Sequence, residues 1–321
     1  MKASAVHKYE TSLGDLAYYD LGKGQPIVLL HGFPDNPLTF TSLVNVLNQA
    51  GFRCIVPYMP GYGDSSLPLK KDGFFKFADA SMLGIGKMID DFLSNILPDE
   101  RIHIIGHDWG SLVAQVVVAL NDENSQAAYQ IERSVFYAVP PIANFFGNIS
   151  IKQMVRSRYM YYFQGFGVAQ TIRKQNLAYI KELWQRWSPW TPEELEQQTQ
   201  LKETLSTLSE EGCLENGMAY YRFLLNPFYM IQGSSIIQQN KLLFKKRSCP
   251  CLLLTGEKDE CIGAEMFDGS EALYPHEDTQ LLVLKNLGHF AHLEDPDTVN
   301  SIITDFIQAK RQQNFDSPVS G

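Results

Sequence analysis

The chain has 321 residues, of which 45% are hydrophobic and 20% charged, and its formal net charge is −9. This composition excludes a disordered or repetitive fibrous chain, and the length is enough to bury a large core without disulfides or metals. An acidic chain without a basic run is also a poor candidate for binding nucleic acid or an anionic membrane.

The cysteine pattern and the apolar stretches bear on compartment and cofactors. The five cysteines are odd in number and scattered, and Cys249 and Cys251 lack the C-x-x-C spacing of a zinc or redox site. No basic segment followed by an apolar run opens the chain, and its longest apolar stretch, residues 134–149, is interrupted by Pro140 and Pro141. We therefore expect free thiols, a cytoplasmic protein without a membrane span, and no metal or other cofactor.

Short apolar runs alternate with amphipathic stretches along most of the chain. After a hairpin expected around residues 16–24, the runs that predict buried strands lie at 26–30, 54–56, 102–105, 134–139, 251–254 and 281–284. Helices are expected at 38–50, 77–97, 110–120 and 298–310. Strands alternating with helices predict the α/β class, with a mostly parallel sheet and helices on both faces.

This alternation stops between residues 139 and 251, which is far longer than an ordinary connection in an α/β fold. The sequence therefore predicts a helical domain inserted at 141–245, a core made of 1–140 and 246–321, and a frayed tail at 312–321. Thr191, followed by proline and two acids, marks one helix start in the insert. The insert is rich in aromatic residues, which favours either a lid over an apolar pocket or a core of its own.

Residues 104–111, Ile-Ile-Gly-His-Asp-Trp-Gly-Ser, carry the central motif. A buried strand leads through a sharp turn into a helix, and Gly106 and Gly110 leave room where a side chain would clash. This is the G-x-S-x-G nucleophile elbow with Asp108 in the position of the serine, at a helix N-terminus that favours an ionised carboxylate. Ser111 lies one turn too late to replace it.

An aspartate in this position predicts different chemistry from a serine. A carboxylate is a poor acylation catalyst because the anhydride it would form is too reactive. It is a competent nucleophile toward a saturated carbon that bears a leaving group. The product is an alkyl ester of Asp108, which water can hydrolyse with help from a base and an oxyanion hole.

Three other segments fit this scheme. His-Gly-Phe-Pro at 31–34 follows the first buried strand, where the backbone N–H groups of Phe33 and Trp109 would flank the ester carbonyl. Asp259 and His289 follow two late strands, in the chain order nucleophile, acid, histidine. We predict that His289 deprotonates water and that Asp259 holds the tautomer of His289. Two neighbouring acids compete with Asp259 but fit the strand end less well: Glu257 and Glu260.

Together the motifs at 31–34, 106–110, 256–259 and 288–290 resemble those of the α/β-hydrolase-fold epoxide hydrolases. The resemblance covers most of the chain. It implies an α/β-hydrolase core with an inserted helical cap, no cofactor, and a small apolar epoxide and water as the only partners. The implied reaction converts the epoxide to a vicinal diol through the Asp108 ester.

The resemblance also implies two cap tyrosines that hydrogen-bond the epoxide oxygen. By register these are Tyr159 and Tyr221, while three neighbours remain alternatives: Tyr161, Tyr162 and Tyr220. A phenol, with a pKa near 10, stays protonated at neutral pH and can donate to the alkoxide that forms. The implied substrate pocket is lined by Phe33, Pro34, Trp109, Tyr159 and Tyr221.

Two rival classes of function remain open, a dehalogenase and a ligand-binding protein without turnover. A haloalkane dehalogenase uses the same machinery, but halide needs N–H donors such as the Trp109 indole, and such enzymes usually have asparagine where Phe33 stands. Fluoroacetate dehalogenases typically have arginine at the position of Trp109. The other rival is a ligand-binding hydrolase fold without turnover, which the presence of Asp108, Asp259 and His289 disfavours.

Overall fold

The computed structural model describes residues 1–72 and 75–315. An eight-stranded sheet in the order β1-β2-β4-β3-β7-β8-β9-β10 forms its centre, and β5 and β6 make a separate two-stranded hairpin. The strands are β1 (His7–Thr11), β2 (Gly14–Gly22), β3 (Gln25–Leu30), β4 (Phe52–Pro57), β5 (Leu69–Asp72), β6 (Phe75–Ala78), β7 (Arg101–His107), β8 (Gln130–Tyr137), β9 (Cys251–Gly256) and β10 (Gln280–Leu284).

The helices, apart from three short 3-10 turns, follow in chain order. They are α1 (Thr41–Gln49), α2 (Met82–Ile96), α3 (Trp109–Glu123), α4 (Ile142–Gly147), α5 (Ile151–Arg156), α6 (Arg158–Tyr162), α7 (Val168–Lys174), α8 (Ala178–Trp187), α9 (Pro192–Gln197), α10 (Thr199–Ser209), α11 (Cys213–Leu225), α12 (Pro227–Gln232), α13 (Ile236–Leu243), α14 (Ala291–Glu294) and α15 (Pro296–Phe315).

The sheet is mostly parallel and covered on both faces. The pairs β1–β2 and β2–β4 are antiparallel, whereas every pair from β4 through β3, β7, β8 and β9 to β10 is parallel. Successive residues of β3 show the two layers: Val28 packs in one core with α2 and α3, and Leu29 packs in the other with α1 and α15. Strands buried on both faces explain the continuous apolar runs, and the predicted α/β fold is confirmed.

The prediction of a helix at 77–97 was wrong at its start. Phe77 lies in β6, and α2 begins only after Ser81, whose side chain accepts the N–H of Gly84. Asp79 in turn accepts the N–H of Ser81. These two caps fix the helix start because their oxygens satisfy N–H groups that have no partner within the helix.

Helices α4 to α13 occupy the connection between β8 and β9, and no strand interrupts residues 138–250, all of which the structure describes. The helix start predicted at Thr191 is present as a complete capping box with Glu194. The indole of Trp184 donates to the carbonyl of Pro34 at 2.9 Å, and its ring stacks on Phe290 at 4.0 Å. The inserted helices therefore pack directly on the loops that follow β3 and β10.

Other expectations concern the chain end, the thiols and the membrane. Residues 312–315 of the predicted frayed tail belong to α15, and 316–321 lie outside the described residues. All five cysteines are free. No helix in the described part of the chain is long and apolar enough to cross a bilayer.

Candidate active site

Asp108 stands on a strained turn between β7 and α3. Its backbone has φ 53° and ψ −119°, a conformation that costs energy for a residue with a Cβ atom. The turn is possible because the residues around it are glycines. A Cβ atom on Gly106 would lie 2.3 Å from the Gly110 carbonyl oxygen, and one on Gly32 would lie 2.4 Å from the Asp108 side chain. The sharp turn leaves the carboxylate at the C-terminal edge of the sheet.

The structure brings His289 and Asp259 to this carboxylate. His289 Nδ1 lies 2.9 Å from Asp259 Oδ2, and His289 Nε2 lies 3.5 Å from Asp108 Oδ2. The other oxygen of Asp259 accepts the backbone N–H groups of Cys261 and Ile262 at 2.7 and 3.0 Å. All three members of the predicted triad are buried, with Asp108 only 3% exposed.

The competing acids lie elsewhere. Glu260 forms an ion pair with Arg156, and Glu257 accepts the backbone N–H of Asn286 at the surface. Asp259 is therefore the acid that contacts His289 in this loop.

Of the two predicted oxyanion donors, one contacts the carboxylate directly. The backbone N–H of Phe33 donates to Asp108 Oδ1 at 2.8 Å. The N–H of Trp109 opens α3 and makes no hydrogen bond within the described structure, as expected for the first turn of a helix. His31 holds the loop that carries Phe33, because its Nε2 accepts the backbone N–H of Met59 at 3.0 Å.

The charges around His289 fix its protonation. Burial lowers the pKa of His289, but the carboxylates of Asp259 and Asp108 outweigh burial and raise the pKa to about 10. The two carboxylates thus favour the imidazolium form of the ring. Neutralising Asp108 would remove one of the two supporting anions and lower the pKa of His289.

Tyr159 and Tyr221 lie side by side above this site. Their rings are 5.4 Å apart, and Tyr221 also packs on Phe33 at 5.4 Å and on Trp109 at 5.3 Å. The hydroxyl of Tyr159 lies 3.4 Å from Cys261 Sγ, whereas that of Tyr221 is buried without a hydrogen-bond partner among the described residues. Burial raises the pKa of both phenols well above its usual value, and the charge of Asp108 adds to the effect.

The three alternative tyrosines are placed differently. Tyr220 is buried, but its hydroxyl donates to the carbonyl of Pro60 and is thus engaged in the fold. Tyr161 and Tyr162 are 59% and 39% exposed on the outside of α6. Only Tyr159 and Tyr221 combine burial with a position next to Phe33 and Asp108.

Two neighbours of the site were not predicted as site residues. Trp187 packs on His289 at 5.1 Å and on Tyr159 at 4.9 Å, and its carbonyl accepts the backbone N–H of His289 at 2.8 Å. Cys261 faces Tyr159 and follows Asp259 by two residues. For Trp187 the aromatic richness of the insert was the only signal. For Cys261 the signal was its position directly after the predicted acid.

A second buried polar cluster lies behind the base. His107 Nε2 donates to the carbonyl of His289 at 3.0 Å, which leaves Nδ1 as the bare ring nitrogen. This Nδ1 and Asp35 Oδ2 both lack a hydrogen-bond partner among the described residues. Asp35, His107 and His292 each have one potential ligand atom within 4.8 Å of those of the other two. Burial raises the pKa of Asp35 to about 6 and lowers that of His107 to about 3.

The site itself is closed. Tyr159, Tyr221 and His289 are each no more than 1% exposed. The side chains of the site are therefore shielded from bulk solvent.

Comparisons with known proteins bear on the family and the fold. A family model described as the alpha/beta hydrolase fold matches residues 25–296. The chain is 25% identical over 315 residues to the Rattus norvegicus protein "Bifunctional epoxide hydrolase 2", covering 92% of this chain and 54% of that protein. It is 23% identical over 298 residues to "Epoxide hydrolase 4" of Homo sapiens, covering 91% of this chain and 75% of that protein. The solved structure "Vigna radiata Epoxide hydrolase mutant" has a TM-score of 0.74 and 19% identity, covering 96% of this chain and 100% of that one.

The chain belongs to the α/β-hydrolase-fold family, because the family model spans most of it. The resemblance to epoxide hydrolases predicted from the motifs is confirmed by these relatives. The chain spans about half the length of the curated relatives it first matches. At 19% identity, the likeness to the solved structure shows the fold alone.

Proposed function

We propose that the protein is an epoxide hydrolase that converts an apolar epoxide to a vicinal diol through a covalent ester of Asp108. The observation that carries the proposal is the carboxylate of Asp108 on the elbow, lying between His289 and the buried phenols of Tyr159 and Tyr221. In this reading residues 141–245 are a cap domain that encloses the substrate. The named activity of the curated relatives supports the same reaction.

The first step is attack on a ring carbon. Because Oδ1 of Asp108 is held by the N–H of Phe33, Oδ2 is the oxygen free to attack. The new C–O bond forms as the ring C–O bond breaks, and the ring oxygen takes a proton from Tyr159 or Tyr221. The phenols also stabilise the developing negative charge before the proton moves.

The second step is hydrolysis of the ester. Forming the ester removes the charge of Asp108 and lowers the pKa of His289, so the imidazolium gives its Nε2 proton to the tyrosinate left by ring opening. The neutral Nε2 then accepts a proton from water. The hydroxide adds to the ester carbonyl carbon, whose oxygen is the former Oδ1 and stays on the N–H of Phe33. When the intermediate collapses, the diol oxygen takes the proton from His289, and the proton left on Asp108 passes to Nε2, which restores the starting state.

The proposal is tested by trapping the ester. Without its base, a His289→Gln variant should alkylate Asp108 and then stall. We expect its intact mass to rise by the whole mass of an apolar epoxide, and the rise to vanish when Asp108→Ala is added. A Glu257→Gln variant, changed at a surface acid in the same region, should turn over without accumulating the adduct.

Other outcomes would replace the proposal. An adduct equal to a haloalkane minus hydrogen halide, with none from epoxides, would indicate a dehalogenase. No adduct from either panel in a folded variant would indicate a ligand-binding hydrolase fold without turnover. An adduct that persists in the double variant would show that Asp108 is not the nucleophile.

A further inference from the structure

Cys261 is the one thiol in the described structure that faces the reacting groups. Its backbone N–H holds Asp259 Oδ1 at 2.7 Å, which turns the side chain back toward the site. There Sγ lies 3.4 Å from the hydroxyl of Tyr159. The residue is completely buried. The reaction proposed above gives this sulfur no part.

The sulfur belongs to a compact set of three different donors. One carboxylate oxygen of Asp108, Sγ of Cys261 and one ring nitrogen of His289 all lie within 4.8 Å of one another. His289 Nε2 is fully buried and has no hydrogen-bond partner among the described residues, its closest acidic oxygen being Asp108 Oδ2 at 3.5 Å. The hydroxyl of Tyr221 is a second buried group without a partner at the same site. Polar atoms of four side chains are thus gathered at one site: those of Asp108, Cys261, His289 and Tyr221.

We propose that Asp108, Cys261 and His289 bind one thiophilic divalent cation, Zn²⁺ or Cd²⁺, and that this cation reversibly blocks the site. Sulfur, imidazole nitrogen and carboxylate oxygen are the three donor types of protein zinc sites. Zinc bonds of about 2.0–2.3 Å place neighbouring ligand atoms about 3.3–3.8 Å apart. The Asp108–His289 pair lies in this range at 3.5 Å, and the atoms of all three residues lie within 4.8 Å of one another. Binding displaces the thiol proton of Cys261 and the Nε2 proton of the His289 imidazolium, and both protons leave to solvent.

The surroundings of His289 suit a metal ligand. Its Nδ1 is engaged by Asp259, so Nε2 is the nitrogen left to coordinate, and a carboxylate on the second ring nitrogen orients metal-binding histidines. A cation here would occupy the oxygen of Asp108 that attacks and the nitrogen of His289 that accepts the water proton. Both steps would stop together. The sequence shows no local motif for this metal site, because Asp108 and Cys261 are 153 positions apart in the chain.

The test uses Cd²⁺ as the probe, since cadmium bound to a thiolate absorbs in the near ultraviolet and reports the Cd–S bond without any assay of activity. We expect the intact protein to bind one equivalent with this absorption band. Cys261→Ser should lose the band and bind Cd²⁺ at least about tenfold more weakly, since even indirect supports of a ligand contribute 10–100-fold. Asp259→Asn should keep the band but weaken binding.

The matched control is Cys213→Ser. Cys213 is also a buried thiol beside a carboxylate, 3.9 Å from Glu210, but it has no imidazole partner, so its loss should leave the band unchanged. A band that survives in Cys261→Ser, or that disappears in Cys213→Ser, would overturn the proposal. So would the absence of a band in the intact protein at saturating Cd²⁺. Because the band is read without substrate, its result stands whether or not the protein hydrolyses epoxides.

Discussion

His289 Nε2 lies 3.5 Å from Asp108 Oδ2, the carboxylate oxygen that the backbone N–H of Phe33 leaves unoccupied. The two oxygens of Asp108 therefore have different surroundings. One faces a hydrogen-bond donor of the backbone, and the other faces the base and the space beneath the tyrosines. In the reaction proposed above, this asymmetry gives one oxygen the role of the attacking atom and leaves the other with the N–H of Phe33.

Asp259→Asn should separate the two chemical steps. Because Oδ1 accepts the N–H groups of Cys261 and Ile262, the amide of the variant must turn its NH₂ toward His289 Nδ1. His289 then carries its proton on Nε2 and cannot accept one from water. We expect diol formation to fall by about 10⁴-fold, as when a triad acid is replaced by its amide.

The measurement is rapid quenching followed by intact mass, which reports ester formation and ester decay separately. Ester formation should persist while decay slows. Glu257→Gln serves as the control for an acid of the same loop that does not reach His289. Unchanged ester decay in Asp259→Asn would contradict the assigned role.

Tyr221→Phe and Tyr159→Phe should slow ring opening without unfolding the protein. The Tyr221 hydroxyl has no partner to lose within the described structure, so its removal should leave the melting temperature unchanged or raise it. We expect each single variant to form the ester about 10–10²-fold more slowly and the double variant to fall by about 10²–10⁴-fold, the range of acid catalysis.

Two other tyrosines provide the controls. Tyr220→Phe removes the bond to the Pro60 carbonyl and should lower the melting temperature with little change in ring opening, and Tyr161→Phe at the surface should change neither. Stopped-flow fluorescence of Trp109, which packs on Tyr221, is a direct probe of ester formation. A normal rate in the double variant would remove the tyrosines from the mechanism.

The raised pKa of His289 predicts a stability that declines in alkali. The pKa is 6.5 for an unperturbed histidine and about 10 in the folded protein, so the folded state binds the proton more tightly. This stabilisation is complete below about pH 6.5 and is lost as pH rises toward 10, with a slope of up to about 1.4 kcal/mol per pH unit.

Urea unfolding of the intact protein and of His289→Gln, at several pH values between about 6 and 10, measures this contribution as a difference. The stability advantage of the intact protein should shrink steadily as pH rises. A difference that stays constant or grows would mean that His289 is neutral in the folded state.

Gly32→Ala should lower the rate of diol formation by displacing Asp108. Its Cβ atom would lie 2.4 Å from both Cβ and Oδ1 of Asp108, so the carboxylate must move. Misplacement of a reacting group by about 1 Å costs on the order of 10²-fold in rate. Gly147→Ala is the matched control, because its Cβ would meet nothing within 4 Å. Equal activity of the two variants would show that the position of Asp108 tolerates this crowding.

Most of the fold and the core of the site were readable from local patterns. A strand buried on both faces must be apolar throughout, so β3, β7 and β9 stand out as continuous runs. Asp108 was identifiable because an elbow needs small residues at fixed positions around the nucleophile. The order of acid and histidine after Asp108 along the chain then identified Asp259 and His289 as its candidate partners.

What local patterns could not supply depends on packing between distant segments. Trp187 reaches His289 across 102 residues of sequence (289 − 187), and nothing near either residue encodes the contact. The resemblance was needed to choose Tyr221 over Tyr220. Both are tyrosines on the same helix, and their side chains differ only in the direction in which they point. Residues 77 and 78 at the end of β6 were mistaken for helix because Phe77 also fits a helical spacing.

The bond from the His289 backbone N–H to the Trp187 carbonyl joins the two halves of the molecule at the base. Trp187 ends α8 in the insert, and a Cβ atom on Gly288 would lie 2.5 Å from that same carbonyl oxygen, so the two segments are in close contact. An insert that moved away from the core would have to stretch or break this bond. We therefore expect any such motion to shift the backbone of His289 as well, so that the position of the imidazole depends on the position of the insert.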